Sequence, residues 1–202
     1  MKQDYFLQLI NIIKKTKSPL EEEFISRINQ RKISRDENIT SHICCFFGAV
    51  DKKSKQVFIG SHKKSGLWLF NGGHLDKNEL PQETVVREMG EEWGYVPVSE
   101  KELKPEHLTI VNFENHVQAC KKHFDIWFFI LVDKNNFTPD KSLLSLEFHE
   151  IKWVDLKEAK KLCHGQYSMT ALEYIEKKYF MIKNYIINNP TNWQKDKYYT
   201  ES

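Results

Sequence analysis

The hydrophobic pattern changes its period near residue 38 of the chain. Four apolar residues before this point recur at three- and four-residue spacing, which places them on one helical face: Phe6, Leu9, Ile10 and Ile13. They predict a helix that ends near Lys15, and a second helix is predicted after Ser18. We therefore predict an N-terminal helical extension over residues 1–38.

Short β-rich runs replace the helical period from Ser41 onward. The runs ICCFFGAV and QVFIG are separated by the polar turn 51–55 and predict a hairpin-like pair of strands. Further strands are predicted at residues 67–70, 107–113, 123–132 and 151–154. The run IWFFILV is apolar without alternation, which is typical of a strand covered on both faces. The pattern thus predicts an α/β fold whose sheet lies between helical layers.

Helices are predicted after the glycine pair and in the C-terminal third of the chain. Their predicted ranges are 81–93, closed by Gly94, then 156–162 and 169–187, the last ending before Pro190. Residues 39–190 would form the main domain, and 191–202 a loose polar tail.

Composition narrows the class of protein. The chain has 202 residues with 30 basic and 28 acidic side chains, so its net charge of +2 provides no general field for nucleic acid. No apolar run approaches the roughly 20 residues that span a bilayer, and the first residues do not resemble a signal peptide. We expect a soluble cytoplasmic protein. The cysteines lack CxxC spacing and are expected to be buried free thiols: Cys44, Cys45, Cys120 and Cys163.

The helix predicted at 81–93 carries the candidate chemistry. Glu88, Glu91 and Glu92 fall within an arc of about 100°, beside a neighbouring apolar arc. Like charges at this spacing destabilise a helix, and the arc contains no cation. Arg87 lies beside Glu91 and can orient that carboxylate. Clustered carboxylates are typical ligands of a hard divalent cation, so we predict a magnesium site.

The same segment resembles the Nudix box: Gly73, five residues, Glu79, seven residues, and then REMGEEWGY from Arg87 to Tyr95. The resemblance implies a Nudix fold, a mixed β-sheet sandwiched between α-helices. It also implies that Glu88, Glu91 and Glu92 bind Mg²⁺, for which Mn²⁺ can substitute. A carbonyl of the glycine turn, assigned to Gly72, would join the metal ligands.

The resemblance further implies hydrolysis of a nucleoside diphosphate derivative by attack of water on phosphorus. In several relatives a glutamate just ahead of the last strand is the general base. Glu147 and Glu150 both stand in that stretch, and the sequence does not choose between them. Both could instead be ordinary surface carboxylates.

Five further residues are candidates for contacting substrate or lining the pocket. His62 and Lys64 precede the WLF run and could reach phosphates, although such lysines are commonly only solvated. His74 follows the glycine pair, where a turn-stabilising hydrogen bond is an equal alternative. His123 and Asp125 share one face of a predicted strand and could line the pocket or form a polar pair at the sheet edge.

The run HKKSGLWLFNGGH resembles a bacterial Nudix subgroup that has no substrate label, so the substrate ranking stays open. Nucleoside triphosphates rank ahead of dinucleoside polyphosphates and nucleotide sugars. The alternatives of other classes are a nucleotide sensor that does not hydrolyse its ligand and a prenyl diphosphate isomerase. The predicted partner is a small nucleotide, with no membrane. The N-terminal helices could seal the fold, form a homodimer or cover the pocket.

Overall fold

The strands form one mixed sheet. The computed structural model describes residues 2–113 and 119–181. In this part of the chain the strands are β1 (Ser41–Asp51), β2 (Gln56–His62), β3 (Trp68–Leu69), β4 (Asn71–His74), β5 (His107–Asn112), β6 (Lys122–Leu131) and β7 (Phe148–Asp155). Their order is β3-β2-β1-β6-β5, with β4 paired to β1 and β7 to β2. β1 and β6 run parallel and the other pairs antiparallel, so the predicted mixed sheet is confirmed.

Helices cover both faces of this sheet. They are α1 (Lys2–Lys15), α2 (Glu21–Asn29), α3 (Pro81–Trp93), α4 (Lys141–Glu147), α5 (Leu156–Leu162) and α6 (Gln166–Ile175), with a π-helical turn at Glu176–Phe180. The start of α3 is fixed because the Glu83 carboxylate accepts a hydrogen bond from the Leu80 N–H at 2.6 Å. Gly94 ends the helix in the left-handed conformation, at φ 76°.

Alternation along β1 divides the core in two. Ile43, Cys45 and Phe47 share a buried cluster with apolar residues of α1, α2 and α3. Val50 and β6 residues such as Trp127 join a second cluster with α5 and α6. The predicted placement of the sheet between helical layers is therefore confirmed.

Three predictions of local structure need correction. The glycine pair was expected in a turn, but residues 71–74 form β4, because the backbone from Asn71 to His74 pairs with Cys44–Phe47 of β1. Helix α4 was not predicted, and the Asp140 side chain caps it. Helix α6 begins at Gln166 rather than at residue 169.

Other expectations are not decided by the fold. The predicted end of the last helix at Ile187 and the tail 191–202 lie outside the described residues. The predicted domain boundaries stay predictions. Among the helices that the structure describes, none combines the length and the apolar character that crossing a bilayer requires.

Candidate active site

A cavity of about 830 Å³ opens beside β4. On this side of the sheet β1 pairs with two different strands along its length, β4 and β2. β1 pairs with β4 through Cys44–Phe47 and reaches β2 only through Val50 and Asp51. The end of β2, the end of α4, one face of α3 and the start of β6 contribute to the walls. The predicted site residues that line the cavity are His62, Lys64, Gly72, His74, Glu88, Glu91, Glu92, His123, Asp125 and Glu147.

The three box glutamates reach the cavity at different depths. Glu92 is only 5% exposed and accepts a hydrogen bond from the Asn71 side-chain amide. The side chain of Glu88 is largely covered, whereas that of Glu91 is 61% exposed. The spacing along α3 therefore places three carboxylates in the same cavity, and of these Glu92 is buried, Glu88 is partly buried and Glu91 is exposed.

Arg87 lies behind these carboxylates rather than in the cavity lining. Its guanidinium donates to both Glu79 oxygens at 3.0 Å, to Glu88 at 2.7 Å and to the His74 carbonyl at 3.1 Å. The predicted partner Glu91 is 3.6 Å away, which is an ion-pair contact. Arg87 thus ties the loop before α3 to the acidic face of the helix, with Glu79 as its main partner.

Burial shifts the pKa of two glutamates of this cavity, Glu92 and Glu88. It raises the pKa of Glu92 to about 8, and the neighbouring carboxylates of Glu88 and Glu147 act in the same direction. The hydrogen bonds from Asn71 and from the Gly72 backbone oppose this rise. Burial likewise raises the pKa of Glu88, against the lowering effect of Arg87. The cavity therefore disfavours accumulated negative charge unless a cation is added.

Gly73 permits the close approach of strand and helix. A Cβ atom at this position would collide with the Glu88 carboxylate. At Gly72 a Cβ would meet the backbone of β1, and φ is 154°, a value that side chains rarely allow. Gly73 thus leaves room for the Glu88 carboxylate beside β4, and Gly72 lets β4 lie close to the backbone of β1.

The two candidate bases are separated by the structure. Glu147 lines the cavity, and its carboxylate lies 3.5 Å from His62 Nε2. The Lys63 N–H donates to the Glu147 carbonyl at 2.8 Å, which fixes the end of α4 to the end of β2. Glu150 lies on β7, forms a surface ion pair with Lys152 at 3.8 Å and is not part of the lining.

Sequence reasoning missed several residues of the cavity. Arg35 lies in the connector between α2 and β1, where no periodicity marked it, yet it lines the cavity beside the predicted Lys64. Phe46, which the sequence did not single out either, lines it too. Of the aromatic side chains that the sequence offers for stacking on a base, Phe113 lines the cavity, whereas Phe47 and Trp127 are fully buried in the core. The cysteines are free, as expected, although Cys120 is only partly buried.

One end of the cavity, which we call its inner end, is lined by Cys44, His74 and His123, with His42 buried against the two imidazoles. His42, which the sequence did not single out, lies with its ring centroid 4.8 Å from that of His74 and 4.7 Å from that of His123. Burial lowers the pKa of His74 to about 4 and that of His123 to about 3, so both imidazoles are neutral at pH 7. Burial also raises the pKa of Asp125 to about 8.

A mixed sheet between helical layers, with the box glutamates in a cavity beside the glycine pair, defines a Nudix-type domain. The model of the NUDIX domain matches residues 45–172, more than half of the chain. The chain belongs to the Nudix hydrolase family.

Two curated relatives carry the names of enzymes. An RNA pyrophosphohydrolase of Xanthomonas oryzae is 27% identical over 52% of this chain and 55% of its own length. An 8-oxo-dGTP diphosphatase of Proteus vulgaris is 30% identical over 46% of this chain and 80% of its own. The chain thus spans about half the length of the RNA pyrophosphohydrolases that it matches.

Solved structures share the fold at low sequence identity. The E. coli dihydroneopterin triphosphate pyrophosphohydrolase superposes with a TM-score of 0.54 at 15% identity, over 68% of this chain and 94% of its own. A C. elegans Ap4A hydrolase gives 0.51 at 17% identity, over 67% and 95%. These likenesses support the fold and leave the substrate open.

Proposed function

We propose that this protein hydrolyses a phosphoanhydride bond of a nucleoside diphosphate derivative with the help of divalent cations. The main observation that supports this proposal is that Glu88, Glu91 and Glu92 line the same cavity as the cationic side chains of Arg35 and Lys64. The volume of about 830 Å³ lies in the range of small-molecule sites. Such a space can hold a nucleotide with its phosphates between the cations and the acidic face of α3.

The donor set fits Mg²⁺, with Mn²⁺ as a substitute. Glu88, Glu91 and Glu92 would hold the ions together with the Gly72 carbonyl, and oxygen is the donor that these hard cations prefer. The raised pKa of Glu92 agrees with this role, because a buried carboxylate ionises more readily beside added positive charge. The chemistry that the cations supply when bound is neutralisation of phosphate charge and activation of water.

Glu147 would act as the general base. It combines exposure to the cavity with proximity to the acidic helix, since its charge raises the pKa of both Glu88 and Glu92. His62 lies 3.5 Å away and would orient the carboxylate or carry its proton to solvent. Arg87 would position Glu88 and Glu91 rather than contact substrate.

A nucleoside triphosphate is the favoured substrate. The name of the Proteus relative specifies 8-oxo-dGTP, a nucleoside triphosphate, whereas that of the Xanthomonas relative specifies RNA. Arg35 and Lys64 provide two cations for the phosphate chain, and Phe113 provides an aromatic ring on which a base could stack. Contacts from His74 and His123 to substrate stay predictions.

The test is phosphate or pyrophosphate release from a nucleotide panel with Mg²⁺. The panel contains nucleoside triphosphates, a dinucleoside polyphosphate and a nucleotide sugar. Glu92→Gln and Glu88→Gln should each lower turnover about 100-fold or more, because metal assistance contributes several kcal/mol to transition-state stabilisation. Glu173→Gln, an exposed carboxylate of α6, is the matched control. Binding without any release would instead identify a sensor and overturn the proposal.

A further inference from the structure

A second group of ligand-type side chains lies at the inner end of the cavity, apart from the box glutamates. His42, Cys44, His74 and His123 each present one ligand atom, and these four atoms lie within 4.8 Å of one another. His42 and Cys44 are almost fully buried. Three imidazoles and a thiol are thus concentrated in a space of a few ångströms.

The registers of the sheet bring these residues together. His42 and Cys44 alternate along β1 and so point to the same face. In the neighbouring strands, His74 of β4 is the partner of Cys44, and His123 of β6 is the partner of His42. Three strands therefore hold the group, and its geometry does not depend on a loop.

The surrounding contacts leave ligand atoms available. His42 Nδ1 lies 3.1 Å from the Asn38 carbonyl, which favours a proton on Nδ1. The lone pair of Nε2 then faces Cys120 Sγ at 3.7 Å and could bind a metal in place of that contact. His123 Nδ1 faces Asp125 Oδ1 at 3.9 Å. Its Nε2 is buried, and within the described residues it has no hydrogen-bond partner. An unpaired buried nitrogen is costly, and coordination would remove that cost.

Asp125 adds the carboxylate that commonly supports a metal-bound histidine. Asp125 is only 1% exposed, and its Oδ2 accepts a hydrogen bond from Thr109 at 3.1 Å, while Thr109 accepts one from Trp127 Nε1 at 2.9 Å. Its Oδ1 has no hydrogen-bond partner among the described residues and faces His123. The carboxyl is therefore anchored on one side and open towards the histidine group.

We propose that His42, Cys44, His74 and His123 form a binding site for a transition-metal cation of the Zn²⁺ class. Imidazole and thiolate ligands suit Zn²⁺, whereas Mg²⁺ prefers the oxygen donors of the glutamates. Tetrahedral Zn²⁺ needs ligand atoms about 3.3 to 3.6 Å apart, so separations of up to 4.8 Å must shorten by as much as about 1.5 Å through side-chain rotation. Because all four ligands come from the protein, the site is of the structural type.

Equilibrium binding of Zn²⁺ to the full chain tests the site without any nucleotide. Protein stripped with a chelator is titrated with Zn²⁺ against a chromophoric competitor in excess Mg²⁺. We expect about one tight equivalent per chain, which is lost in Cys44→Ser and in His123→Gln and retained in the Glu88→Gln/Glu92→Gln double variant. Asp125→Asn should weaken binding about 10- to 100-fold. His149→Gln, at an exposed histidine of β7, is the control.

Substitution with Co²⁺ gives a second measurement, and its main result comes from the wild-type protein. The wild-type protein should show tetrahedral d–d absorption together with a thiolate-to-cobalt charge-transfer band, and Cys44→Ser should lose that band. The proposal is overturned if stripped wild-type protein takes up no tight Zn²⁺, or if the cobalt spectrum lacks the thiolate band. It is equally overturned if uptake survives in His123→Gln and disappears in the glutamate double variant. None of these outcomes depends on whether the protein hydrolyses nucleotides.

Discussion

The glutamates that line the cavity differ widely in their environments. Glu92 is 5% exposed, and burial raises its pKa to about 8, whereas the side chain of Glu147 is 54% exposed. A buried carboxylate is suited to binding a cation, and an exposed one can exchange a proton with solvent. The environment of each glutamate therefore supports the separate roles that we propose for Glu92 and Glu147.

Replacing each candidate base in turn distinguishes Glu147 from Glu150. Glu147→Gln should lower kcat about 10²- to 10⁴-fold and remove the acidic limb of the pH–rate profile, because glutamine cannot accept the proton. Glu150→Gln should leave that limb in place, since Glu150 pairs with Lys152 on the surface. An unchanged acidic limb in Glu147→Gln would exclude Glu147 as the base.

His107 makes the stability of the fold sensitive to acid. Its ring stacks on Tyr174 at 4.9 Å, and burial lowers its pKa from 6.5 to about 4. Between these two pH values the unfolded chain binds more protons than the folded one, so the free energy of unfolding falls as the pH falls from 6.5 to 4.

The variant His107→Phe tests this origin, because it keeps an aromatic stack and has no proton to bind. In urea unfolding at pH 6.5 and at pH 4, it should lose less stability between the two values than the wild type. The matched change His149→Phe, at an exposed histidine, should reproduce the wild-type loss. An equal loss in His107→Phe would assign the acid sensitivity to other groups.

At the scale of elements, α1 packs as part of the core. Leu9 and Ile13 are fully buried in the same cluster as Phe24 of α2 and Ile43 of β1. The Tyr5 hydroxyl also donates to the Glu79 carbonyl at 3.0 Å, which joins the helix to the loop before α3. Of the three roles that the sequence left open, sealing the fold is the one that these contacts support.

Two leucines of α1 provide a matched test of this packing. Leu9→Ala should lower the free energy of unfolding by about 2 to 5 kcal/mol, because it leaves a cavity in the core. Leu7 is 56% exposed, and Leu7→Ala should change stability by no more than about 0.5 kcal/mol. Denaturant unfolding of both variants measures the difference. Equal and small effects would show that α1 is only loosely attached.

Elements with local signals were the ones that the sequence could predict. Helix α3 has the predicted bounds because Pro81 starts it and Gly94 ends it, both within the segment itself. β4 was missed because Asn71–His74 offers no apolar alternation, and the strand exists only through its pairing with β1. Helix α4 is short, and its clearest local signal is the capping Asp140.

At the scale of the whole molecule, the long apolar run of β6 was enough to predict a sheet between helical layers. The set of residues that line the cavity could not be predicted from any one segment. The glutamates of α3 were found because helical spacing is local. Arg35 and His42 are far from them in sequence. The connector before β1 brings Arg35 to the cavity, and the pairing of β1 with β6 places His42 beside His123, which lines it; no short-range pattern encodes either placement. The proposed transition-metal site could therefore not be predicted from the sequence, because its ligands do not follow a local pattern such as CxxC.

His74 belongs to both ends of the cavity. Its carbonyl accepts the Arg87 guanidinium at 3.1 Å, while its imidazole packs against His42. The short strand β4 thus connects the acidic helix α3 to the histidine group. A displacement of β4 would move both sets of side chains together. We therefore expect that a ligand bound at the inner end would change the alignment of the outer carboxylates through the contacts of His74.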